Sequence, residues 1–311
     1  MRLIQTLTLA LIAVALSSGC GSSPPQQART AGPPQRSTPT GSQGDAIVAA
    51  LRASQVERNP ARAIAHIQTA LEQAPERKEL VWLAARLCVD VPRCEPEVYE
   101  SRLRKLDPGN GVVWMGPLAD AQARGDDAAE TQILEALSRE SRFDVYWNTL
   151  LAQGALALSA QSREPAPKML NGPLANAIIE VSGWLTAVAM PSFTSIANAC
   201  SHERTRVAAV AERCRNVSKV LQNGDTYAAE AVGLGIAQRA ARADSPSIVA
   251  LAEHAAVLSY QHDTAGEILG YQVEREKMSA ERIELMKKLR REQDVSIAVL
   301  KWAGVPLTPQ M

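Results

Sequence analysis

Two cysteines and a histidine lie close enough along the chain to suggest metal chemistry. Cys200 is followed two residues later by His202, and Cys214 lies fourteen residues after Cys200. Thiolate and imidazole are good zinc ligands, and Glu203 stands next to the histidine. The spacing matches no established zinc signature, however, and a fourth ligand is missing. We therefore predict no metal site.

The remaining candidates for catalysis or cofactor binding are weak. Gly233 and Gly235 resemble the beginning of a dinucleotide fingerprint, but no strand precedes them and Gln238 stands where a third glycine belongs. Close helix packing explains them better. His254 and His262 are eight residues apart, which places them about 80° apart around a helix and disfavours a shared ligand. We predict no cofactor and no catalytic residue, although a site assembled from distant residues would leave no local motif.

Two sets of charged residues could act in binding or proton transfer. Glu180 is the one charge in an otherwise apolar helix, where a raised pKa could make it an acid, but the rim of an amphipathic face is the simpler interpretation. Residues 273–294 contain 13 charged side chains in 22 positions. The same stretch has a narrow apolar stripe of Met278, Leu285, Met286 and Leu289. Such a helix either caps a helical stack or meets a partner.

Composition favours an all-helical protein without nucleic-acid chemistry. The chain has 33 basic and 33 acidic residues, so no basic surface for nucleic acid is expected. Only two residues are phenylalanine, and alanine and leucine outnumber the branched residues that strands prefer. The chain is therefore predicted to be all-α.

The N-terminus predicts export. Arg2 precedes an apolar run at 3–16, which is too short to span a bilayer, and the run leads to Gly19 and Cys20. This ending resembles the lipobox of bacterial lipoproteins, in which the cysteine is lipidated after removal of residues 1–19. Gly21 in place of Asp implies sorting to the outer membrane, facing the periplasm. An ordinary cleavage site at 13–15 leaves a soluble periplasmic or secreted protein as the alternative.

The export signal sets the interpretation of the following residues. Residues 20–44 are rich in Pro, Ser and Gly and are expected to form a disordered tether. With Cys20 lipidated, four cysteines remain for an oxidising compartment. Four cysteines allow three pairings, and local closure is the simplest. We predict the pairs Cys88–Cys94 and Cys200–Cys214.

Helical periodicity runs from residue 45 to residue 303, and tryptophans mark a repeat within it. Trp82, Trp114 and Trp147 are 32 and 33 residues apart, each after a polar turn. This pattern resembles the tetratricopeptide repeat, whose units are antiparallel helical hairpins. The resemblance implies a divergent solenoid over 45–161. A helical extension would follow over 172–303, with a helix at 246–262, a long charged helix at 264–303 and a short tail at 304–311.

The repeat resemblance also implies a function. Families of this architecture mostly bind proteins along the inner face of their first helices, so we expect a non-catalytic scaffold for an unidentified envelope protein or peptide. The membrane would be reached through the lipid anchor only. The implied inner face comprises Leu83, Leu87, Met115, Ala119, Asn148 and Ala152. The alternatives are that these residues pack against neighbouring helices, and that function lies in an enzyme or small-ligand pocket in the helices after residue 172.

Overall fold

The computed structural model describes residues 44–161, 172–241, 247–271 and 275–309. The predicted signal segment, Cys20 and the predicted tether up to residue 43 lie outside the described residues. Within the described ranges the regular structure is helical, with fourteen α-helices, two 3-10 helices and two isolated backbone bridges in place of any strand. The prediction of an all-α protein is confirmed.

The helices follow one another with short connections. The first seven are α1 Asp45–Gln55, α2 Pro60–Gln73, α3 Lys78–Cys88, α4 Pro96–Leu106, α5 Met115–Arg124, α6 Asp127–Ser138 and α7 Trp147–Gln161. The next seven are α8 Pro173–Val188, α9 Thr194–Ala199, α10 Ala208–Gln222, α11 Tyr227–Ala240, α12 Ser247–Tyr271, α13 Arg275–Lys288 and α14 Glu292–Trp302. The 3-10 helices are Gly111–Trp114 and Arg204–Arg206.

Local capping explains where several helices begin and end. The Asn59 side chain accepts a hydrogen bond from the Arg62 N–H at 3.0 Å, and Asp126 does the same for Ala129 at 3.0 Å. Each satisfies one of the free donors at a helix start. Gly125 ends α5 with a φ of 65°, a left-handed conformation that glycine adopts without a steric cost. These positions are the helix boundaries that the sequence predicted.

The core lies around α3, whose tryptophan is fully buried. Trp82 is 1% exposed, and its indole N–H donates to the Ala189 carbonyl at 3.1 Å. The acceptor follows α8, more than a hundred residues later in the sequence. One hydrophobic core extends from Ile47 in α1 to Val295 in α14, and therefore includes both the predicted repeat region and the predicted extension.

Sequential helices pack in antiparallel-hairpin order at first and then depart from it. Contacts join α1 with α2, α2 with α3, α3 with α4, and α5 with α6. In a solenoid each repeat touches only its neighbours. Here α7 also packs against α1 and α13, and α8 packs against α3 and α13. The solenoid arrangement stays a prediction, whereas the helical content does not depend on it.

The prediction of one long charged helix at 264–303 is wrong. Helix α12 continues through His262 to Tyr271, and the described residues that follow contain α13 and α14, which a break at residues 289–291 separates. The break before α14 has a tertiary cause. Arg291 is extended, with φ −97° and ψ 139°, and the Glu292 N–H donates to the Asp225 carbonyl at 2.9 Å. Hydrogen bonds to the loop before α11 replace those that would have continued the helix.

Two smaller findings complete the fold. The helix predicted from residue 143 begins only at Trp147, because Phe143 pairs with Gly224 and Tyr146 has a positive φ of 61°. Across the described ranges, no helix is both long enough and apolar enough to cross a membrane.

Candidate functional site

The most extensive polar cluster holds three buried aspartates. We call Asp107, Asp144, Asp225, Arg290 and Arg291 the aspartate junction. Asp225 is 1% exposed and accepts the backbone N–H groups of Val145 and Trp147, each at 2.9 Å. It thereby caps the start of α7 from a position about eighty residues away in sequence.

The other members of the junction are equally well paired. Arg142 joins Asp107 at 2.7 Å and Asp144 at 3.0 Å, while Arg290 forms an ion pair with Asp144 and Arg291 forms one with Glu230. Charges that already have partners leave little capacity for a ligand, and removal of one partner would leave the other charge uncompensated. The junction therefore positions the helices rather than serving as a binding site.

Burial and charge shift the acidities of this junction in different directions. Burial would raise the pKa of Asp107, but hydrogen bonds from Lys78 and Tyr146 outweigh it and lower the pKa. For Asp225, burial raises the pKa to about 7, and the nearby Asp144 carboxylate adds to the shift. The two backbone N–H donors oppose that shift without cancelling it.

A different arrangement is found where α7, α8, α12, α13 and α14 meet. A cavity of about 240 Å³ lies between these five helices, and we call it the Arg282 cavity. Its polar lining residues are Asn148, Asn176, His262, Ser279, Arg282, Glu292 and Ser296. Residues separated by up to 148 positions thus converge on one space, as small-ligand sites require.

Arg282 is the unusual member of this cavity. Arg282 is half-buried: its Nε atom is buried and has no hydrogen-bond partner, and no described residue forms an ion pair with its guanidinium. Burial lowers the pKa of Arg282, and Glu292 is the charge that opposes the shift. The Glu292 carboxylate is already engaged by the Tyr227 N–H at 2.8 Å. A guanidinium in this position offers planar donors suited to a carboxylate or phosphate.

Asn148 adds a second unmatched atom to the same cavity. Its side chain is 2% exposed, and its amide nitrogen donates to the Leu289 carbonyl at 2.9 Å. Its Oδ1 is buried and, within the described residues, has no donor. The lining of the cavity thus includes one acceptor and one donor without partners, and a buried polar atom without a partner costs about 1–3 kcal/mol.

A larger and less polar cavity lies against the first. It measures about 460 Å³, and we call it the apolar cavity. Leu269, Met278 and Arg282 line both spaces. Its wall includes Leu156, which is 37% exposed, and Trp302, which is 55% exposed. Arg282 therefore stands at the boundary between a polar and an apolar space.

The predicted inner-face residues do not form an open groove. Leu83, Leu87, Met115, Asn148 and Ala152 are at most 4% exposed, and only Ala119 is solvent-exposed. Their burial favours the alternative that these side chains pack against neighbouring helices. Asn148 is the one of the six that lines a cavity, and the structure does not bring the others to it.

The predicted cysteine pairs both lie at disulfide distance. The Cα atoms of Cys88 and Cys94 are 5.3 Å apart, and those of Cys200 and Cys214 are 5.7 Å apart. The second pair forms because the chain reverses between α9 and α10. In the described part of the chain, no group of three His, Cys, Asp or Glu side chains is placed to hold a metal ion.

The structure shows which contacts the other candidate residues from the sequence make. A Cβ at Gly233 would lie 2.8 Å from the Ser218 carbonyl oxygen, so this glycine permits the close approach of α10 and α11. His254 contacts Glu230 at 3.0 Å, and His262 stacks on Tyr227 with ring centroids 4.2 Å apart. Glu180 is solvent-exposed, in agreement with a rim position. Of these, only His262 lines the Arg282 cavity.

Sequence reasoning missed Arg282, although a signal was present. Met278, Arg282 and Met286 follow one another at intervals of four, which places them on one face of a helix. Met278 and Met286 are 5% and 3% exposed. An arginine centred in an apolar stripe is drawn into the interior, and the stripe itself was recognised.

Comparison with protein-family models, with curated proteins and with solved structures finds no significant match to this chain.

Proposed function

We propose that this protein is a ligand-binding module that holds a small anion on Arg282. The observation that carries the proposal is the half-buried Arg282 guanidinium at the meeting point of five helices, whose buried Nε has no hydrogen-bond partner. A buried donor without a partner is destabilising, so it persists where another role retains it. An anion bound in the cavity would supply the missing charge.

The geometry supports this function over the scaffold that the repeat pattern predicted. The scaffold needs an open inner face, and five of its six residues are buried. A ligand pocket needs convergent polar groups in a concave site, and the Arg282 cavity provides them. No proton transfer or nucleophile is part of this proposal. Export, anchoring through Cys20 and an envelope location remain predictions that the binding function does not require.

Binding is tested by thermal unfolding with acetate and inorganic phosphate against a chloride reference at equal ionic strength. We expect at least one anion to raise the Tm of the wild-type protein by roughly 2–5 °C through mass action. Arg282→Gln should lose the increase. Arg52→Gln, which changes an exposed arginine in α1, should keep it. Equal shifts in all three proteins would contradict the proposal, because they would show a general salt effect.

A second measurement distinguishes a binding role from a structural one. Arg282→Met removes the charge but keeps an unbranched apolar stem. If Arg282 serves a ligand, the variant without anion should be at least as stable as the wild type, since the cost of the buried charge disappears. A loss of about 3 kcal/mol or more would show that Arg282 holds the fold together, and the proposal would then be withdrawn.

A further inference from the structure

We infer that the ligand is a single-chain amphiphile, with an anionic head on Arg282 and an unbranched hydrocarbon tail in the apolar cavity. This inference rests on the proposed function and adds the chemical class of the ligand. It is carried by the position of Arg282, which lines both the polar and the apolar space.

The shape and lining of the apolar cavity favour a hydrocarbon chain. Its volume of about 460 Å³ falls within the range of roughly 300–1,000 Å³ that is typical of small-ligand pockets. Its wall is formed mainly by side chains such as Leu156, Leu174, Leu285 and Val299. An apolar chain would remove these surfaces from water, whereas a polar molecule would find few partners among them.

The charged groups around the apolar cavity fix the orientation. Its charged lining residues are Glu281, Arg282, Glu284 and Lys288, all on α13. Glu281, Glu284 and Lys288 are solvent-exposed, and Glu284 is engaged by Lys287 at 2.7 Å. Arg282 is the cation at the inner boundary with the Arg282 cavity. An anionic head would therefore lie inside the protein and the tail would point toward Leu156 and Trp302.

The tail is tested by calorimetric titration of the full chain with butanoate, hexanoate, octanoate and decanoate below their micelle concentrations. Each buried methylene should tighten binding about fourfold, so octanoate should bind on the order of a hundredfold more tightly than butanoate. Decyl phosphate should also bind, since a guanidinium can donate hydrogen bonds to a phosphate as well as to a carboxylate. Decanol and decylamine should bind far more weakly than decanoate. Equal binding of the amine would overturn the anionic head.

Two pairs of variants locate the head and the tail. Arg282→Gln should abolish octanoate binding, and Lys288→Gln at the exposed rim should not; the reverse result would overturn the orientation. Leu156→Asp should weaken octanoate binding by at least tenfold while leaving any acetate or phosphate effect intact. Val98→Asp, which alters an exposed apolar residue on α4, should bind octanoate as the wild type does.

Fluorescence gives an independent readout of the tail. Trp302 lines the apolar cavity and is 55% exposed, so a bound chain should shield it and shift its emission to shorter wavelength. Trp302→Phe should remove that shift. If short anions depend on Arg282 but affinity does not rise with chain length, the tail is wrong and the anion site stands. If neither short nor long anions distinguish the wild type from Arg282→Gln, the proposed function fails as well.

Discussion

Glu100 is a further buried ionisable residue, and its pKa lies far from the ordinary value of a glutamate. It is 7% exposed on α4, and its carboxylate lies so close to Gly116 that a Cβ there would collide with Oε1. Burial raises the pKa of Glu100 to about 8, and a hydrogen bond with the Glu97 carboxyl group adds to the shift. The folded protein therefore keeps this residue protonated at neutral pH.

This acidity predicts that stability falls as the pH rises from about 4.5 to about 8. The pKa is raised on folding, so in that window the folded state binds a proton that the unfolded state has released. Glu100→Gln mimics the protonated form and should remove this loss. We expect the variant to be more stable than the wild type by several kcal/mol at pH 8, since each unit of pKa difference corresponds to about 1.4 kcal/mol, with the difference shrinking toward pH 5.

The measurement is urea unfolding of both proteins at several pH values. Glu72→Gln serves as the control, because Glu72 is exposed on α2 and should leave the pH profile unchanged. A profile of Glu100→Gln parallel to that of the wild type would show that Glu100 is ionised in the folded protein, contrary to expectation.

At the level of elements, the N-termini of α7 and α14 are linked through one residue, Asp225. The carboxylate of Asp225 accepts the N–H groups that begin α7, while its backbone carbonyl accepts the Glu292 N–H at the start of α14. Local sequence does not predict such a cap, because donor and acceptor come from distant segments. The missed break before α14 and the missed start of α7 have this common cause.

Asp225→Ala should destabilise the protein by roughly 2–4 kcal/mol. The substitution leaves two buried backbone N–H groups without acceptors, and each such group costs about 1–3 kcal/mol. Chemical denaturation gives the total loss, and amide hydrogen exchange should show it first in the opening turn of α7. Asp126→Ala, an exposed cap of the ordinary local kind, should cost only about 1 kcal/mol. Similar losses in the two variants would refute the role assigned to Asp225.

At the scale of the whole molecule, the sequence predicted those features that local patterns determine. Helical content follows from periodicity and composition, and caps such as Asn59 and Asp126 follow from residue type. Closely spaced cysteines predicted both pairs. The Arg282 cavity could not be predicted in this way, because its lining comes from five helices whose packing order is not periodic. The spacing of the tryptophans predicted a register for the helical repeats, but it did not predict the contact of α7 with α1.

Anchoring by Cys20 is a prediction for the whole molecule, and it concerns a residue outside the described ranges. Cys20→Ser should release the protein from washed membranes, because a multiply acylated cysteine would hold it firmly and the serine variant lacks the thiol that carries the lipid. Fractionation followed by immunoblotting of both proteins measures this. An equally soluble wild type would exclude the lipoprotein assignment and would leave the soluble exported protein as the alternative.

The pairing of Asp144 with Arg290 has a consequence for the order in which the molecule can fold. The two residues are 146 positions apart, and the bond from Trp82 to Ala189 spans 107. Contacts between such distant positions slow folding, because a long loop must close before they form. A chain emerging N-terminus first can form its early hairpins, yet Asp144 lacks Arg290 until the last helices appear. Until then Arg142 is the ion-pair partner that Asp144 has available, and the aspartate junction stays incomplete.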